Sequence, residues 1–491
     1  MLPFYREFFM SISLLNRHLS IIELFLIFLI SFFGRSVIFH FFLKNEQRFC
    51  QSDSQDYHMS AVCIQQGNGM TRLDNQKPIY WRTPGYPWFL SKCFELMGKP
   101  NDLGFNSYHE HHVLALSIQL FFSSFIPLLV FLLAYVITQS FAVARLASYC
   151  TITHLGFVLA SGYLLTDSLA SIFFIIFTIF LFMVLTRSNQ IISSSMSLIL
   201  AAISLAIFTW MRPMGQFISI IAVAMICMSE KSLKEKVFQS LILLSLFMIL
   251  LFPWFWRNYQ LTGLFFFCPL FGLYFNVFNA PRIISYISGI PLEILHKQFT
   301  LAGGYAHAYQ TVRYAQDHIN YQTCGEYICL STAWPVIVAH PFIFIIDWLR
   351  EVAKTTFDLF SYQLVAIHQE CFKWDPLVEY LSEKLWVCLF DEKLPFLIRL
   401  TSWCEFLFSI FLWIGIACGL IKWLIIPLYN QRKLSNEGYM WLYSALIVCS
   451  VVGQTGGFGY ARLRLPIEPL IIIGGLWFWY EFVYEKVLRI T

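Results

Sequence analysis

Charged residues are scarce in this sequence. Asp, Glu, Lys and Arg make up 13% of its 491 residues, and the formal net charge is only +4. No basic stretch interleaved with aromatic residues occurs, so the pattern typical of nucleic-acid binding is absent. Hydrophobic residues make up 58% of the chain and include 51 Phe. No soluble core needs this much apolar surface, so the composition predicts an all-α, polytopic integral membrane protein.

Recognisable cysteine motifs are also absent. The chain has 13 Cys, but none forms a Cys-x-x-Cys pair and none alternates with His at the spacing of a zinc site. Cysteines in the predicted membrane helices behave as small hydrophobes. Those in the loops can form disulfides if the loops face an oxidising compartment. The loop cysteines are Cys50, Cys63, Cys93, Cys268, Cys324, Cys329, Cys371 and Cys388.

A cleavable leader is missing as well. The first apolar run, Leu19 to Gly34, is followed by Arg35 and more apolar residues, and not by a small-residue cleavage site. We therefore predict that this run is an uncleaved signal anchor and the first spanning helix.

Windows of about 20 apolar residues predict the other spans. With the first one, they are 14–34, 113–137, 143–163, 168–186, 190–210, 213–229, 236–255, 403–423, 439–457 and 467–484. A shorter run at 334–349 contains the His340-Pro341 break and Asp347, which favours a helix lying at the membrane interface. The whole chain is expected to have about 10–13 transmembrane helices.

These spans divide the chain into predicted parts. An N-terminal catalytic membrane module covers residues 1–263 and includes a first outer loop at 44–112. Residues 264–402 form an outer loop or cap, and residues 403–491 return to the membrane.

Lys and Arg in short loops set the orientation. With the N-terminus in the cytoplasm, the inner side receives Arg6, Arg17, Arg145, Arg187, Lys231, Lys234, Lys236, Arg432, Lys433, Lys486 and Arg489. Arginines also remain at the outward ends of spans, namely Arg35, Arg212, Arg257, Arg462 and Arg464. Interfacial snorkelling accounts for any one of them. It does not account for their collection on one face, which instead indicates a site for an anion at the outer surface.

The first outer loop contains the most informative acids. Asp53, Tyr57 and Ala61 are spaced four apart, and Asp56 follows Asp53 by three. This spacing predicts a short helix with both carboxylates on nearly one face. Two acids one turn apart can hold a divalent metal or supply a general base. The alternative is a solvated helix N-terminus that favours acids.

The segment Arg82-Thr83-Pro84-Gly85-Tyr86-Pro87 follows in the same loop. Two prolines and a glycine restrict its backbone, so Arg82 and Tyr86 are displayed with little entropy left to lose. An ordinary loop turn is the alternative interpretation.

Later segments place further charges at the outer ends of spans. They are Leu165-Thr166-Asp167-Ser168, Trp210-Met211-Arg212-Pro213, Pro253-Trp254-Phe255-Trp256-Arg257-Asn258 and Ala461-Arg462-Leu463-Arg464-Leu465-Pro466-Ile467-Glu468-Pro469. In this order the motifs resemble the membrane glycosyltransferases of the GT-C class, especially the branch with protein O-mannosyltransferases and lipid A aminoarabinose transferases. The resemblance covers most of the chain except residues 264–400, and no motif resembles the sequon-reading motif of oligosaccharyltransferases.

The resemblance implies an inverting enzyme that moves a sugar from a polyprenyl phosphate to an extracytoplasmic lipid, glycan or protein hydroxyl. By motif position Asp53 matches the catalytic base, with Asp56 and Asp167 as further catalytic candidates and Tyr57 and Tyr86 as positioning residues. The candidates for binding the leaving phosphate are Arg82, Arg212, Arg257, Arg462 and Arg464, with Arg257 and Arg464 as the preferred pair.

The implied partners are the polyprenyl-phosphate sugar, membrane lipids and an unidentified acceptor, without nucleic acid. No cofactor is implied beyond the divalent metal that the acids could hold. The expected location is a bacterial inner membrane, with the site facing outward.

Two other functional classes compete with this interpretation. A transporter or flippase for an anionic lipid or solute needs ionisable or broken helices at mid-membrane, whereas the predicted spans are largely continuous and apolar. A structural subunit would leave the acids and arginines unexplained. The run His109-Glu110-His111-His112 fits no metal-site spacing, and we interpret it as a solvated histidine run at the membrane surface.

Overall fold

The described part of the chain is helical. A computed structural model describes residues 21–43, 49–50, 53–72, 77–98, 104–186, 194–292, 294–295, 333–368, 381–431, 434–456 and 459–484. In these residues the one β-type pairing is an isolated antiparallel bridge between Thr71 and Pro78. The predicted all-α, polytopic architecture is therefore confirmed.

The described residues before Gly263 form eleven α-helices. They are α1 (Ile21–Leu43), α2 (Ser54–Gln65), α3 (Gly85–Met97), α4 (His109–Ser123), α5 (Ile126–Thr138), α6 (Phe141–Thr153), α7 (Leu155–Gly162), α8 (Asp167–Thr186), α9 (Ser194–Met211), α10 (Gly215–Met228) and α11 (Leu233–Thr262).

The other described helices are short, apart from four with 16 to 25 residues. They are α12 (Leu270–Tyr274), α13 (Ala280–Ser288), α14 (Ala333–Ala339), α15 (Pro341–Phe357), α16 (Tyr362–His368), α17 (Leu381–Phe390), α18 (Phe396–Leu420), α19 (Ile426–Gln431), α20 (Asn436–Gly453), α21 (Ala461–Arg464) and α22 (Glu468–Val483). Single π-helical turns at Phe275–Asn279 and Ile421–Ile425 join α12 to α13 and α18 to α19.

Six helical stretches in the described residues are long and apolar enough to cross a membrane. They are Ile21–Phe41, His109–Thr138, Asp167–Thr186, Ser194–Met211, Leu233–Thr262 and Phe396–Asn430. The pair α6 and α7 adds a seventh if its 47° bend lies within one span. The other predicted spans coincide with α10, α20 and α22, which are helical but shorter or less apolar.

The predicted break at His340-Pro341 is confirmed. Helix α14 ends at Ala339 and α15 begins at Pro341, as expected for proline in the first turn of a helix. Neither helix is among the candidate spans. Asp347 of α15 is buried and pairs with Arg282, with 3.0 Å between Oδ1 and Nε.

A large hydrophobic core joins the N-terminal helices to the last ones. Helix α8 packs on α9 and α5 on α6, while α22 packs on both α18 and α6. A Cβ at Gly475 would lie 2.8 Å from the Leu412 Cα, so glycine permits the close approach of α22 to α18. This packing brings the segment before α22 to the same end of the bundle as the start of α8.

The predicted cap region has small cores of its own. One contains Leu359, Val365, Cys388, Leu389 and Leu394, and another contains Ala280, Ile283, Ala333 and Ile337. The boundaries of the three predicted parts remain a prediction.

Helix α11 ends in a way that shapes the site. Gly263 adopts a φ of 72°, the left-handed conformation in which glycine commonly terminates a helix. The chain then turns back, and Asn258 Nδ2 donates to the carbonyls of Phe266 and Phe267 at 3.0 and 3.1 Å. The turn therefore holds a row of aromatic residues beside α11.

The predicted orientation can be tested at two exposed positions. Ser107 precedes α4 and should lie outside, and Glu437 in the first turn of α20 should lie inside. We expect an impermeant thiol reagent on intact cells to label Ser107→Cys, and to label Glu437→Cys only after permeabilisation. Each variant is compared with the parent protein because native cysteines add background. Labelling of both positions from one side would contradict the orientation.

Candidate functional site

Acids and arginines from five separate stretches of chain meet at one end of the bundle. Asp53 immediately precedes α2, Arg82 lies before α3, and Asp167 begins α8. Arg212 directly follows α9, and Arg462 lies in the short helix α21. Asp56, in the first turn of α2, completes the group.

Arg82 binds both acids of the first outer loop. Its Nη2 lies 2.7 Å from Asp53 Oδ1 and 2.8 Å from Asp56 Oδ2, and its Nε donates to the same Asp56 oxygen at 3.2 Å. The Asp53 side chain accepts no hydrogen bond from the backbone at the N-terminus of α2. The predicted short helix is confirmed, but its acids are engaged by arginines and are not the solvated caps of the alternative interpretation.

Arg462 connects the first outer loop to the start of α8. Its Nη2 donates to Asp53 Oδ2 at 3.0 Å, and its Nε lies 2.9 Å from Asp167 Oδ2. Arg212 approaches Asp167 from the other side through Nη2, and its Nε lies 3.4 Å from Thr166 Oγ1.

Three carboxylates and three guanidinium groups thus alternate in one continuous series. We call it the ion-pair chain, in the order Asp56, Arg82, Asp53, Arg462, Asp167 and Arg212. The exposed fraction of these side chains runs from 1% for Asp167 to 19% for Asp53. The formal charges cancel, so the buried group as a whole is neutral.

Two arginines determine the protonation state of Asp53. Burial alone would raise the pKa of its carboxyl group, but the positive charges of Arg82 and Arg462 outweigh burial and hold this pKa well below its ordinary range. Asp53 is therefore ionised in this arrangement and is a weak base.

Each arginine of the ion-pair chain uses only one edge. Arg82, Arg212 and Arg462 contact the acids through Nε and Nη2. Among the described residues, none accepts a hydrogen bond from the Nη1 of these arginines, and the Nη1 of Arg212 is buried without a partner. The acids therefore orient the guanidinium groups and leave donors on each for a further anion.

The Arg-Thr-Pro-Gly-Tyr-Pro segment is fixed by contacts to neighbouring helices. Thr83 Oγ1 donates to the Met211 carbonyl at 2.9 Å. A Cβ at Gly85 would lie 2.7 Å from the Trp210 carbonyl oxygen, so only glycine allows this approach. The segment is thereby held against the end of α9, where Arg212 follows.

Tyr57 packs against the Arg82 guanidinium, and Tyr86 packs against Tyr57. The guanidinium carbon of Arg82 lies 5.3 Å from the centre of the Tyr57 ring, which packs edge-to-face on Tyr86 at 5.2 Å. Tyr86 donates to Gln119 Oε1 at 3.0 Å, and Gln119 Nε2 donates to the Tyr163 carbonyl at 2.9 Å. Burial raises the pKa of Tyr57 to about 12, so its hydroxyl stays protonated at neutral pH.

A cavity of about 410 Å³ opens beside the ion-pair chain. Asp53, Arg82, Arg212 and Arg462 line its charged side. Its apolar side is aromatic, and two of these rings, Phe217 and Phe265, are 40% and 55% exposed on the outside of the bundle. The aromatic lining consists of Phe217, Phe255, Phe265, Phe266 and Phe267, and further polar lining residues are Gln216, Tyr274, Gln454 and Tyr460.

The preferred arginine pair lies elsewhere. Arg257 donates to the carbonyls of Ile79 and Met70 at 2.9 and 2.8 Å, and its guanidinium carbon lies 4.5 Å from the Trp254 ring centre. It therefore fastens the first outer loop to α11. Neither Arg257 nor Arg464 lines the cavity.

Arg464 holds the end of α15. Its Nη1 donates to the carbonyls of Thr355 and Asp358 at 2.8 and 3.2 Å, and its Nε pairs with Glu468. The last carbonyls of a helix have no partner within the helix, and a basic side chain can satisfy them. Arg464 thus acts as a C-terminal cap for α15.

Sequence reasoning missed Gln119, Gln454, Tyr274 and Tyr460. Gln119 lies within a predicted span, and an isolated amide among apolar residues was the available signal. Residues Tyr274, Gln454 and Tyr460 belong to no motif, and nothing in the sequence separates them from other polar residues near helix ends.

The site offers poor coordination for a divalent metal. Arg82 lies between Asp53 and Asp56, in the place that a shared metal would need. In the described ranges no three His, Cys, Asp or Glu side chains are grouped as metal ligands.

The expectation of a solvated histidine run is wrong for His111 and His112, whereas Glu110 is exposed. His111 and His112 are only 7% and 0% exposed, because α4 turns them into the first outer loop. His58 Nδ1 and His112 Nε2 are 3.0 Å apart, and Phe105 packs on the His112 ring at 4.3 Å. His58 and His112 therefore pack α2 against α4 in the interior of the protein.

Described cysteines of the outer loops are free thiols. These are Cys50, Cys63, Cys93, Cys268 and Cys388. Cys324, Cys329 and Cys371 lie outside the described residues.

Residues 88–267 match the family model of the dolichyl-phosphate-mannose-protein mannosyltransferases. The match covers less than half of the chain. The matched region contains Asp167 and Arg212, whereas Asp53, Arg82 and Arg462 lie outside it. The predicted resemblance to the GT-C class is confirmed.

One solved structure supports a shared fold, and a second is reported beside it. The Archaeoglobus fulgidus oligosaccharyltransferase in the apo form aligns over 96% of this chain and 52% of its own, with 11% identity and a TM-score of 0.52. The present chain thus spans about half the length of that protein. ArnT from Cupriavidus metallidurans in the apo state aligns over 90% of this chain and 76% of its own, with 12% identity and a TM-score of 0.36. Among curated proteins, none matches the sequence significantly.

The close approach at Gly85 generates a prediction about the stability of the protein. Gly85→Ala would place a Cβ against the Trp210 backbone, and we expect a loss of about 1–3 kcal/mol from the resulting overpacking. Gly34→Ala in α1 is the matched control, because its Cβ would meet no atom within 4 Å. Thermal unfolding in detergent should show a lower midpoint for Gly85→Ala only. Equal midpoints for both variants would contradict the fixed position of the segment.

Proposed function

We propose that this protein is an inverting glycosyltransferase that moves a sugar from a polyprenyl phosphate to an acceptor hydroxyl. The observation that carries the proposal is the composition of one cavity. A carboxylate and three arginines with unused donors line one side, and exposed aromatic rings line the other. A lipid-linked phosphate has the same two parts, an anion and an apolar chain.

The phosphate of the donor would lie against Arg82, Arg212 and Arg462. Each guanidinium is held by a carboxylate through Nε or Nη2, and no described residue accepts a hydrogen bond from its Nη1. Charge-assisted hydrogen bonds of this kind are the strong ones, and preorganised donors stabilise the charge that develops on a leaving phosphate. This assignment replaces the pair Arg257 and Arg464, whose guanidinium groups already donate hydrogen bonds to backbone carbonyls and to Glu468.

Asp53 is the proposed general base. Of the three acids of the ion-pair chain, it alone lines the cavity and has the largest exposed fraction. It would take the proton of the acceptor hydroxyl as that oxygen attacks the anomeric carbon and the sugar–phosphate bond breaks. Such proton transfer contributes about 10²–10⁴ in rate.

Asp167 has a supporting role in this proposal. Its side chain is 1% exposed, and both oxygens face arginines, one toward Arg212 and the other toward Arg462. Asp167 is therefore a positioning residue that fixes two phosphate-binding groups.

The aromatic side of the cavity suits the polyprenyl chain. Phe217 and Phe265 are exposed on the outer surface of the bundle and also line the cavity. A lipid could therefore enter sideways from the bilayer while its phosphate reaches the arginines. The distribution of Lys and Arg supports an extracytoplasmic position for this site, and a bacterial inner membrane is the proposed location.

The base assignment predicts the behaviour of Asp53→Asn. Transfer from a polyprenyl-phosphate sugar should fall by at least about 10², because the amide cannot accept the acceptor proton. Donor binding should persist, since the arginines keep their charge. Rates at saturating donor, together with binding of labelled donor, separate the two effects. Transfer at the parental rate would remove Asp53 from the base role.

The arginine assignment predicts a contrast between two matched substitutions. Lysine keeps the charge but loses the planar fork, so Arg462→Lys should lower kcat/KM for the donor about 10- to 100-fold. Arg257→Lys is the control, because Arg257 binds only backbone carbonyls and Asn258. Both variants are compared at equal amounts of folded protein. A larger loss in Arg257→Lys than in Arg462→Lys would reverse the assignment.

A further inference from the structure

The two acids at the start of α2 hold Arg82 in different ways. Asp56 accepts from both Nε and Nη2 of Arg82 with a single oxygen, at 3.2 and 2.8 Å. Its side chain is 9% exposed and does not line the cavity. Asp53 accepts only from Nη2 of Arg82 and Nη2 of Arg462, and it faces the cavity.

We propose that these acids divide two tasks: Asp56 is a permanent anchor that keeps Arg82 aimed into the cavity, and Asp53 is an exchangeable partner that the donor phosphate displaces from Arg82 and Arg462. The inference rests on the proposed function and adds an order of events to it. The donor must arrive before Asp53 can act as a base.

The exchange follows from what each group can offer. A phosphodiester in the cavity presents unesterified oxygens to the same Nη2 atoms that Asp53 occupies and to the unused Nη1 atoms beside them. Asp53 reaches Nη2 of each arginine but no other atom of either. The incoming phosphate can therefore form more charge-assisted bonds than the carboxylate gives up.

Asp56 is placed to stay behind during this exchange. A ligand in the cavity cannot reach it without passing Arg82, because Asp56 lies under the Nε edge of that side chain. Without Asp56, losing Asp53 to the exchange would leave Arg82 with no carboxylate at all, and its long side chain would regain rotamer freedom.

Displacement changes the proton affinity of Asp53. The positive charges that now hold its pKa down would be turned toward the phosphate, whose own negative charge acts in the opposite direction. The groups that face Asp53 are Arg82, Arg462, Tyr57 of α2, Tyr274 of α12 and Tyr460. The tyrosines have raised pKa values and the arginines stay charged, so Asp53 is the group whose protonation changes on donor binding.

Proton uptake on donor binding is the direct measurement. The purified full-length protein is titrated calorimetrically with a polyprenyl methyl phosphodiester, which keeps one negative charge across the whole pH range and carries no sugar. Heats in two buffers of different ionisation enthalpy give the number of protons taken up. We expect uptake to approach about one proton per ligand toward pH 5, and affinity to rise as pH falls, because a pKa that increases on binding favours the protonated complex.

Variants assign the proton and the anchor. Asp53→Asn should bind the diester without proton uptake. Asp56→Asn should raise the Kd and the donor KM about tenfold or more, and Asp56→Glu should restore much of this loss because it returns the carboxylate. If Asp56→Asn fails to fold, Asp56→Glu must still bind more weakly than the parent protein, since its longer side chain displaces the Arg82 guanidinium.

Each outcome is decisive for one claim. Binding to the parent protein without proton uptake, or uptake that survives in Asp53→Asn, would overturn the exchange. Unchanged donor affinity in Asp56→Asn, or in Asp56→Glu where the amide variant does not fold, would overturn the anchor. Failure of the parent protein to bind the diester would instead overturn the proposed donor site, so the two proposals fail by different results.

Discussion

The alternation of carboxylates and guanidinium groups is the constraint on which the rest of the site depends. A buried charge without a partner is strongly unfavourable, and breaking a buried pair costs about 3–5 kcal/mol. Each internal member of the ion-pair chain faces two groups of opposite charge, so removing any one member leaves the buried group with a net charge. Five stretches of chain, spread between Asp53 and Arg462, therefore converge at this end of the bundle.

The same arrangement prepares the site for an anion. The acids neutralise the arginines, so the empty cavity does not carry a large net charge, yet the acids bind only one edge of each guanidinium. The guanidinium groups are oriented when the protein folds, so a phosphate that enters the cavity meets donors already in position. Thr83 and Gly85 fix the loop that carries Arg82 to α9. The hydrogen bond from Tyr86 to Gln119 fixes the same loop to α4.

The sequence predicted which helix ends carry charged residues better than it predicted the partners of those residues. The spacing of Asp53, Tyr57 and Ala61 predicted the helix that follows Asp53, and Pro341 predicted the break before α15. Outward position could not distinguish Arg462 from Arg464, two residues away, because the difference lies in which carbonyls or acids each side chain meets in the fold. Likewise the sequence run of α4 suggested exposure to solvent for His111 and His112. Their burial follows from the contact between α2 and α4 in the folded protein.

The most direct test of the account is a cryo-EM structure of the protein with a polyprenyl phosphate bound. We predict that the phosphate oxygens lie within about 3 Å of guanidinium nitrogens of Arg82, Arg212 and Arg462, with the polyprenyl chain leaving past Phe217 and Phe265. A phosphate bound at Arg257 or Arg464, with the ion-pair chain unchanged and its cavity empty, would contradict the account.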